Sequence, residues 1–241
     1  MTMIIAHRGA SKVAPENTMP AFELALRMKA EAIETDVQLT KDNIPVLIHD
    51  EHVKRTTNSH GYIKDYHLAE LKKLDAGSWF SKNFGGATIL TLEEFLQWMV
   101  NTPLHLHLEL KNNKIDYMHL EPIVYELLSQ YKVADRTTIS TFNPDSVQRF
   151  SQLSSTIEIA LLTSRKINNL PRYAKELGAK AVHIKYRLLN KKLIQQCQHE
   201  NMRVRVYTVN QFSSMMRCFR IGCDGIFTDV PNKAILYRNL T

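Results

Sequence analysis

Apolar residues cluster along the chain in short runs, and between the runs they recur at every third or fourth position. Runs lie at 3–6, 32–37, 137–142, 157–163, 181–185, 204–209 and 225–229, with the strictly alternating LHLHLEL at 104–110. Each is of strand length and bounded by polar or glycine-containing segments, so eight strands are predicted. The intervening pattern is helical. Asn17-Thr18 and Pro20 precede Ala21, Phe22, Ala25, Leu26 and Met28, which predicts a capped helix with one buried stripe. Thr91-Leu92-Glu93-Glu94 is a capping box ahead of Phe95, Leu96 and Met99. Leu120, Ile123, Val124, Leu127 and Leu128 form another stripe, and Asn143-Pro144 opens a helix after the fourth strand. Further helices run from Leu170 to Leu177, closing at Gly178, and after Asn190; Asn210 opens a last long helix closed by Gly222.

Strands alternating with helices imply a parallel α/β sheet, and eight of them close a TIM (β/α)8 barrel. The alternative is a doubly wound open sheet, against which stands the absence of GxGxxG after the first strand. One segment breaks the repeat. QLTKDNIPVLIHD (38–50) reads as a hairpin turning at Lys41-Asp42-Asn43, and residues 51–90 carry little predictable regular structure. The expected organisation is one domain over 1–241, with 51–90 inserted after the second strand over the C-terminal face of the barrel; loops of that length are usually functional.

Composition narrows the class without naming it. With 241 residues, 44% hydrophobic and 23% charged, the chain has the makeup of a soluble globular protein. No apolar stretch nears the roughly 20 residues needed to span a bilayer, and no basic segment followed by an apolar one opens the chain, so a cytoplasmic protein without stable membrane insertion is expected. Cys197, Cys218 and Cys223 fit no disulfide or zinc pattern and are expected as free thiols. The net charge of +7 comes from scattered residues (Lys29, Lys41, Lys72, Lys132, Lys166, Lys191) with no basic run interleaved with aromatics. Solvated faces, and no nucleic-acid partner, are therefore expected.

In a barrel the active site lies at the C-terminal ends of the strands. Strand one ends in His7 and Arg8, strand two carries Glu34 and Asp36 on one face, and strand three ends with Glu109 and Lys111. If the hairpin folds back near Asp42, His49 joins them close to Glu34. Three carboxylates without thiolates suit a hard divalent cation such as Mg2+ or Ca2+. Arginine and lysine beside it suit a phosphate, and two imidazoles supply a proton donor and acceptor near neutral pH. These are the parts for metal-assisted cleavage of a phosphate ester. Singly, each has a plainer explanation: Glu34 with Lys111 as a structural ion pair, Arg8-Gly9 as a turn, and His105, His107, His119 and His199 as surface or core residues. Their coincidence at strand ends is what favours chemistry.

HRG (7–9), PENT (15–18), Glu34-x-Asp36, His49-Asp50 followed by RTTN (55–58), ELK (109–111), VYTVN (206–210) and GCDGIFTDVP (222–231) together resemble the glycerophosphodiester phosphodiesterase family, in order and over nearly the whole chain. The resemblance implies a TIM barrel, one divalent cation on Glu34, Asp36 and Glu109, phosphate contacts from Arg8 and Lys111, and acid/base chemistry by His7 and His49. It implies hydrolysis of small glycerophosphodiesters, the deacylated phospholipid headgroups, to sn-glycerol 3-phosphate and an alcohol. In the family's usual account the glycerol hydroxyl attacks phosphorus and water opens the cyclic product. Alternatives are a lysophospholipase D activity on acylated substrates, with Trp79, Phe80 and Phe84 lining an apolar channel, and a phosphodiester-binding protein without turnover. Departures from the family pattern are Tyr207 in place of a tryptophan, His107 in place of a smaller polar residue, Ile89-Leu90 in place of Ile-Pro, and no glycine in MKAEAIETD. They bear on substrate choice and local packing.

Overall fold

The computed structural model describes residues 1–240. In chain order the regular elements are β1 (Met3–His7), α1 (Met19–Arg27), β2 (Ala32–Leu39), β3 (Pro45–Leu47), α2 (Leu68–Leu71), α3 (Leu92–Met99) and β4 (His105–Leu110). Then come α4 (Leu120–Gln130), β5 (Thr137–Thr141), α5 (Pro144–Leu153), β6 (Glu158–Thr163), α6 (Leu170–Glu176) and β7 (Ala181–Lys185). The chain ends with α7 (Lys191–His199), β8 (Arg203–Tyr207), α8 (Phe212–Ile221), β9 (Gly225–Thr228) and α9 (Pro231–Arg238).

Every strand except β3 pairs in parallel with two neighbours, and β1 bonds both β2 and β9, so eight strands close a barrel with helices between them. The open-sheet alternative is thereby ruled out. β3 lies outside the ring, antiparallel to β2 with Val37 opposite Leu47 and Leu39 opposite Pro45. That is the expected hairpin, and Asn43 supplies its left-handed residue at φ 59°.

Two layers of core follow from the strand period. Outward-facing residues pack against the helices, where Phe22 of α1 meets Phe95 of α3 edge to face at 4.8 Å and both are wholly buried. The capping box forms as expected: Thr91 Oγ1 accepts from the Glu94 amide at 3.0 Å and Glu94 Oε2 from the Thr91 amide at 2.8 Å. Asn143 and Asn190 cap α5 and α7 through the amides of Asp145 and Leu193. Two expected caps do not form. Thr18 donates its hydroxyl to the Pro15 carbonyl, and neither Asn17 nor Asn210 caps a helix, because both side chains bond strand-end groups instead. Nor is the helix after Asn210 the last, since α9 follows it.

Residues 51–90 contain three single 3-10 turns (Val53–Arg55, Ile63–Asp65, Lys82–Phe84) and the one-turn α2. They are held by a separate apolar cluster of Val46, Ile48, Val53, Ile63, Leu71, Ala76 and Ile89. The sequence shows no helical stripe here because no element exceeds one turn.

The barrel interior is unusually polar. His107 and His183 lie with ring centroids 5.6 Å apart, both packed on Phe227. Below them Glu158 Oε1 meets Arg205 Nη1 at 2.6 Å and accepts from Thr138 at 2.9 Å, while its other oxygen lies 3.0 Å from Arg203. Burial opposes ionisation of Glu158, but Arg205 and Arg203 outweigh it and the carboxyl titrates below its ordinary 4.5. A pKa lowered by folding adds stability above the unfolded value, and that stability is lost as pH falls through the folded one. Arg205 is 3% exposed, so removing its partner strands a buried cation. Glu158→Gln is expected to cost about 3 kcal/mol at pH 7. The gap to wild type should narrow as pH drops below 4.5, read from urea unfolding midpoints; a gap independent of pH would show that the charge pair contributes nothing.

Candidate active site

The turn that ends β1 is built from two successive left-handed residues, Arg8 at φ 55° and Gly9 at φ 81°. Gly9 has no substitute: a Cβ there would stand 2.7 Å from the Ala21 backbone at the start of α1. The reversal aims the Arg8 amide at Glu34 Oε2, 2.9 Å away on the neighbouring strand. Register does the rest. His7 pairs with Glu34, and Asp36 with Glu109, so β1, β2 and β4 deliver their polar ends to one mouth.

Glu34, Asp36 and Glu109 each offer an oxygen within 4.8 Å of the others, and all three are at least nine-tenths buried. Burial and the charge of Asp36 push the Glu34 carboxyl up. Asp36 moves the other way: burial would raise it, but Arg8 and Lys111 hold it down. Its Oδ1 is buried with no hydrogen-bond partner. An oxygen-only cluster with an orphaned carboxylate oxygen fits one divalent cation, which would relieve the repulsion that drives Glu34 upward.

The two histidines are oriented alike. His7 Nδ1 donates to Asp229 Oδ1 at 2.7 Å, and His49 Nδ1 to Asp50 Oδ1 at 2.6 Å. An ionised carboxylate only accepts, so the proton sits on Nδ1 and Nε2 is left for the cavity. Burial pulls the His7 pKa down, but Glu34 and Asp229 outweigh it and the pKa lies above 6.5. Asp50 is pushed down to about 2, with hydrogen bonds from Arg55 and His49 overcoming burial. His49 follows β3 on the hairpin, whose ladder continues with the Ile48 amide bonded to the Asp36 carbonyl at 3.0 Å.

A chain of charges joins these parts. Arg8 Nε lies 3.2 Å from Asp36, and its Nη1 is 2.9 Å from Glu16. Glu16 also holds both terminal nitrogens of Arg55 at 2.7 and 2.8 Å, and Arg55 Nε reaches Asp50 at 2.6 Å. Lys111 Nζ is 2.9 Å from Glu109 and 3.9 Å from Asp36, buried behind the carboxylates. Glu34 and Lys111 make no direct ion pair; Lys111 takes Glu109 instead.

His7, Arg8, Glu34, His49 and Glu109 line one side of a cavity of about 360 Å3, whose other walls are Ser140, Phe142, Leu162, His183, Lys185, Tyr207 and Phe227. Five of the seven residues singled out from sequence thus share the lining, with Asp36 and Lys111 directly behind. Trp79, Phe80 and Phe84 are not among the lining residues; they stack edge to face on one another. Of the histidines set aside, His105, His119 and His199 are exposed, and His107 is buried in the barrel with Nδ1 unpartnered.

The structure adds to the site residues that the sequence placed elsewhere or left without a role. Asp229 directly follows the eighth barrel strand; Asn210 donates to its Oδ2 at 2.6 Å and accepts from its amide at 2.9 Å. Asn17, itself left-handed at φ 56°, donates to Asp36 Oδ2 at 3.0 Å and accepts from Thr35 at 2.7 Å. Their one sequence signal is position at a strand end, which asparagine before a helix mimics. Tyr207 contributes a buried hydroxyl without a partner and packs on Phe142 at 6.1 Å.

Known proteins resemble this chain in sequence and fold. The family model of the glycerophosphoryl diester phosphodiesterase family matches residues 7–233. A glycerophosphodiester phosphodiesterase of Bacillus altitudinis is 39% identical over 99% of this chain and 98% of its own. One of Caldanaerobacter subterraneus is 36% identical over 97% and 96%. The solved structure of an Oleispira antarctica phosphodiesterase in complex with the product sn-glycerol-3-phosphate superposes with a TM-score of 0.92 at 30% identity, covering 99% of this chain and 97% of that one. The chain therefore belongs to the glycerophosphoryl diester phosphodiesterase family and is a phosphoric diester hydrolase.

Proposed function

We propose that the chain hydrolyses small, deacylated glycerophosphodiesters to sn-glycerol 3-phosphate and an alcohol, using one divalent cation, Mg2+ or Ca2+, held by Glu34, Asp36 and Glu109. The observation that carries this reading is the pairing of His7 and His49, each with Nδ1 fixed on a carboxylate, across one cavity that also exposes Arg8, Glu34 and Glu109. A pocket that only bound a phosphodiester would need charge, but not two imidazoles with oriented, free Nε2 atoms. The product bound by the Oleispira antarctica relative is consistent with the same substrate class.

When bound, the cation supplies Lewis-acid stabilisation of charge on the phosphate oxygens. The protein residues divide the remaining work. Arg8 meets the phosphate from the cavity wall, and Lys111 adds positive charge from behind Glu109 and Asp36. One of His7 and His49 takes the proton of the attacking hydroxyl, and the other returns a proton to the departing alcohol oxygen. Asp229 and Asp50 hold the rings in the tautomer this requires and favour the imidazolium that forms in turn. Asn17 and Asn210 fix the carboxylates Asp36 and Asp229 so that neither ring nor cluster has to reorganise.

Deacylated substrates are favoured over acylated ones because the aromatic residues of the 51–90 segment do not extend the cavity. Three buried, unbridged cysteines suit a reducing, cytoplasmic setting, and among the described residues no helix is long and apolar enough to cross a membrane.

The first test is release of sn-glycerol 3-phosphate from glycerophosphocholine by purified protein, after chelation and after restoring Mg2+ or Ca2+. Release is expected only with metal. Turnover that survives complete chelation would remove the cation from the reaction, and faster cleavage of the lyso-phospholipid than of glycerophosphocholine would transfer the reading to acylated substrates. His7→Ala and His49→Ala are each expected to lower kcat by about 100-fold or more, and a near-normal rate would take that residue out of the chemistry. Glu109→Gln should weaken metal binding, measured by calorimetric titration; an unchanged isotherm would contradict a ligand role.

A further inference from the structure

Glu34, Asp36 and Gln38 stand two residues apart along β2 and so project to one face of the strand. The first two are the proposed cation ligands. The third is wholly buried, does not line the cavity, and has no charge to offer a cation. Its amide nitrogen instead donates to three successive carbonyls, those of Ile48 at 3.0 Å, His49 at 3.1 Å and Asp50 at 2.8 Å. Two hydrogens serve three acceptors, so at least one is shared. Carbonyls can meet only the nitrogen, which fixes the orientation of the amide. At its other end Oε1 accepts from the Tyr117 hydroxyl at 3.2 Å, and Tyr117 is itself buried in the loop between β4 and α4.

A buried glutamine needs partners wherever it lies, and a single carbonyl would go far to satisfy its nitrogen. What distinguishes Gln38 is the place of the three it holds. The ladder between β2 and β3 gives out at Ile48, whose amide bonds the Asp36 carbonyl at 3.0 Å. His49 and Asp50 follow in a bend outside the strand. The His49 ring is held by Asp50 at 2.6 Å, but Asp50 belongs to the same bend, so that bond fixes the ring relative to the bend and leaves the bend itself to be placed. Arg55 secures the Asp50 side chain at 2.6 Å. Beyond the Ile48 amide, Gln38 supplies the hydrogen bonds that tie the main chain of the bend to the strand carrying Glu34 and Asp36.

We propose that Gln38 is a positioning residue for the reaction: it clamps the main chain of residues 48–50 against β2 and so sets the His49 ring at a fixed place relative to the carboxylate cluster, with Tyr117 holding the clamp in orientation. The inference rests on the role given to His49 above and extends it to a residue that touches neither substrate nor cation. The warrant is geometric. Proton transfer requires the imidazole within hydrogen-bond reach of the reacting oxygen, and a displacement of about 1 Å can cost on the order of 100-fold in rate. The clamp places the ligand strand and the bend on one rigid unit, so that ring and carboxylates keep their spacing.

The test is Gln38→Met, which keeps the length of the side chain and removes its hydrogen bonds. With Mg2+ and glycerophosphocholine, kcat is expected to fall about tenfold or more while KM and the calorimetric Mg2+ affinity stay within about twofold of wild type. In the His49→Ala background the same substitution is expected to cost nothing further, whereas a general loosening of the fold would cost the same in both. A rate near wild type, an equal loss in both backgrounds, or a loss of Mg2+ affinity as large as the loss of kcat would overturn the proposal. The ring also reports without turnover. Its NMR signals, assigned by their loss in His49→Ala, are expected as one sharp set in wild type and as broadened or multiple sets in Gln38→Met; unchanged signals would overturn the proposal. Near-normal turnover by His49→Ala alone would overturn the acid/base reading, and the ring signals would still decide whether Gln38 holds the ring. Tyr117→Phe spares the three carbonyl contacts and is expected to lower kcat about threefold. If Gln38→Met does not fold, Tyr117→Phe decides, with unchanged rate and ring signals overturning the proposal.

Discussion

Three carboxylates buried at one end of a barrel repel one another, and the architecture of the mouth is arranged around that repulsion. Arg8 and Lys111 flank Asp36, the Arg8 amide takes one oxygen of Glu34, and Asn17 takes one oxygen of Asp36. The compensation is partial, since Asp36 Oδ1 keeps no hydrogen-bond partner. Three carboxylates against Arg8 and Lys111 leave an excess of negative charge, which suits an acidic cluster that could hold a divalent cation.

The same economy of charge explains the 51–90 segment. Its small apolar cluster keeps it folded against β3, but its functional connection is one residue, Arg55, which clamps Glu16 and Asp50 together. Through Glu16 it steadies Arg8, and through Asp50 it steadies His49. The acidic cluster, Arg8 and the His49 imidazole therefore share a single electrostatic chain, and a change at Arg55 would be felt at each of them.

Much of this was legible from sequence because strand ends in a parallel barrel have one destination. Apolar runs located the strands, and the charged residue closing each run located the mouth. His7, Arg8, Glu34, Asp36, Glu109 and Lys111 follow from that rule and His49 from the hairpin, although the rule does not say that Lys111 turns to Glu109 and sits behind the lining. Asn17 and Asn210 were misassigned for a physical reason: asparagine ahead of a helix offers the same side-chain acceptor to an amide or to a neighbouring strand, and only tertiary proximity decides. Asp229 escaped because its partner His7 lies 222 residues away along the chain, and Glu16 because its link to Arg55 spans 39. The short turns of 51–90 were invisible because a single turn has no periodicity.

His7 on the first strand and Asp229 just after the last are 222 residues apart, and their hydrogen bond spans the seam where the ring closes. A chain still lacking its final strand would already carry the carboxylate cluster and His49, but His7 would have no partner to set its tautomer. On the role proposed for His7, the catalytic geometry is complete only once the final strand closes the ring. On that reading turnover would report closure of the seam, since opening it leaves the His7 ring without the carboxylate that sets its tautomer.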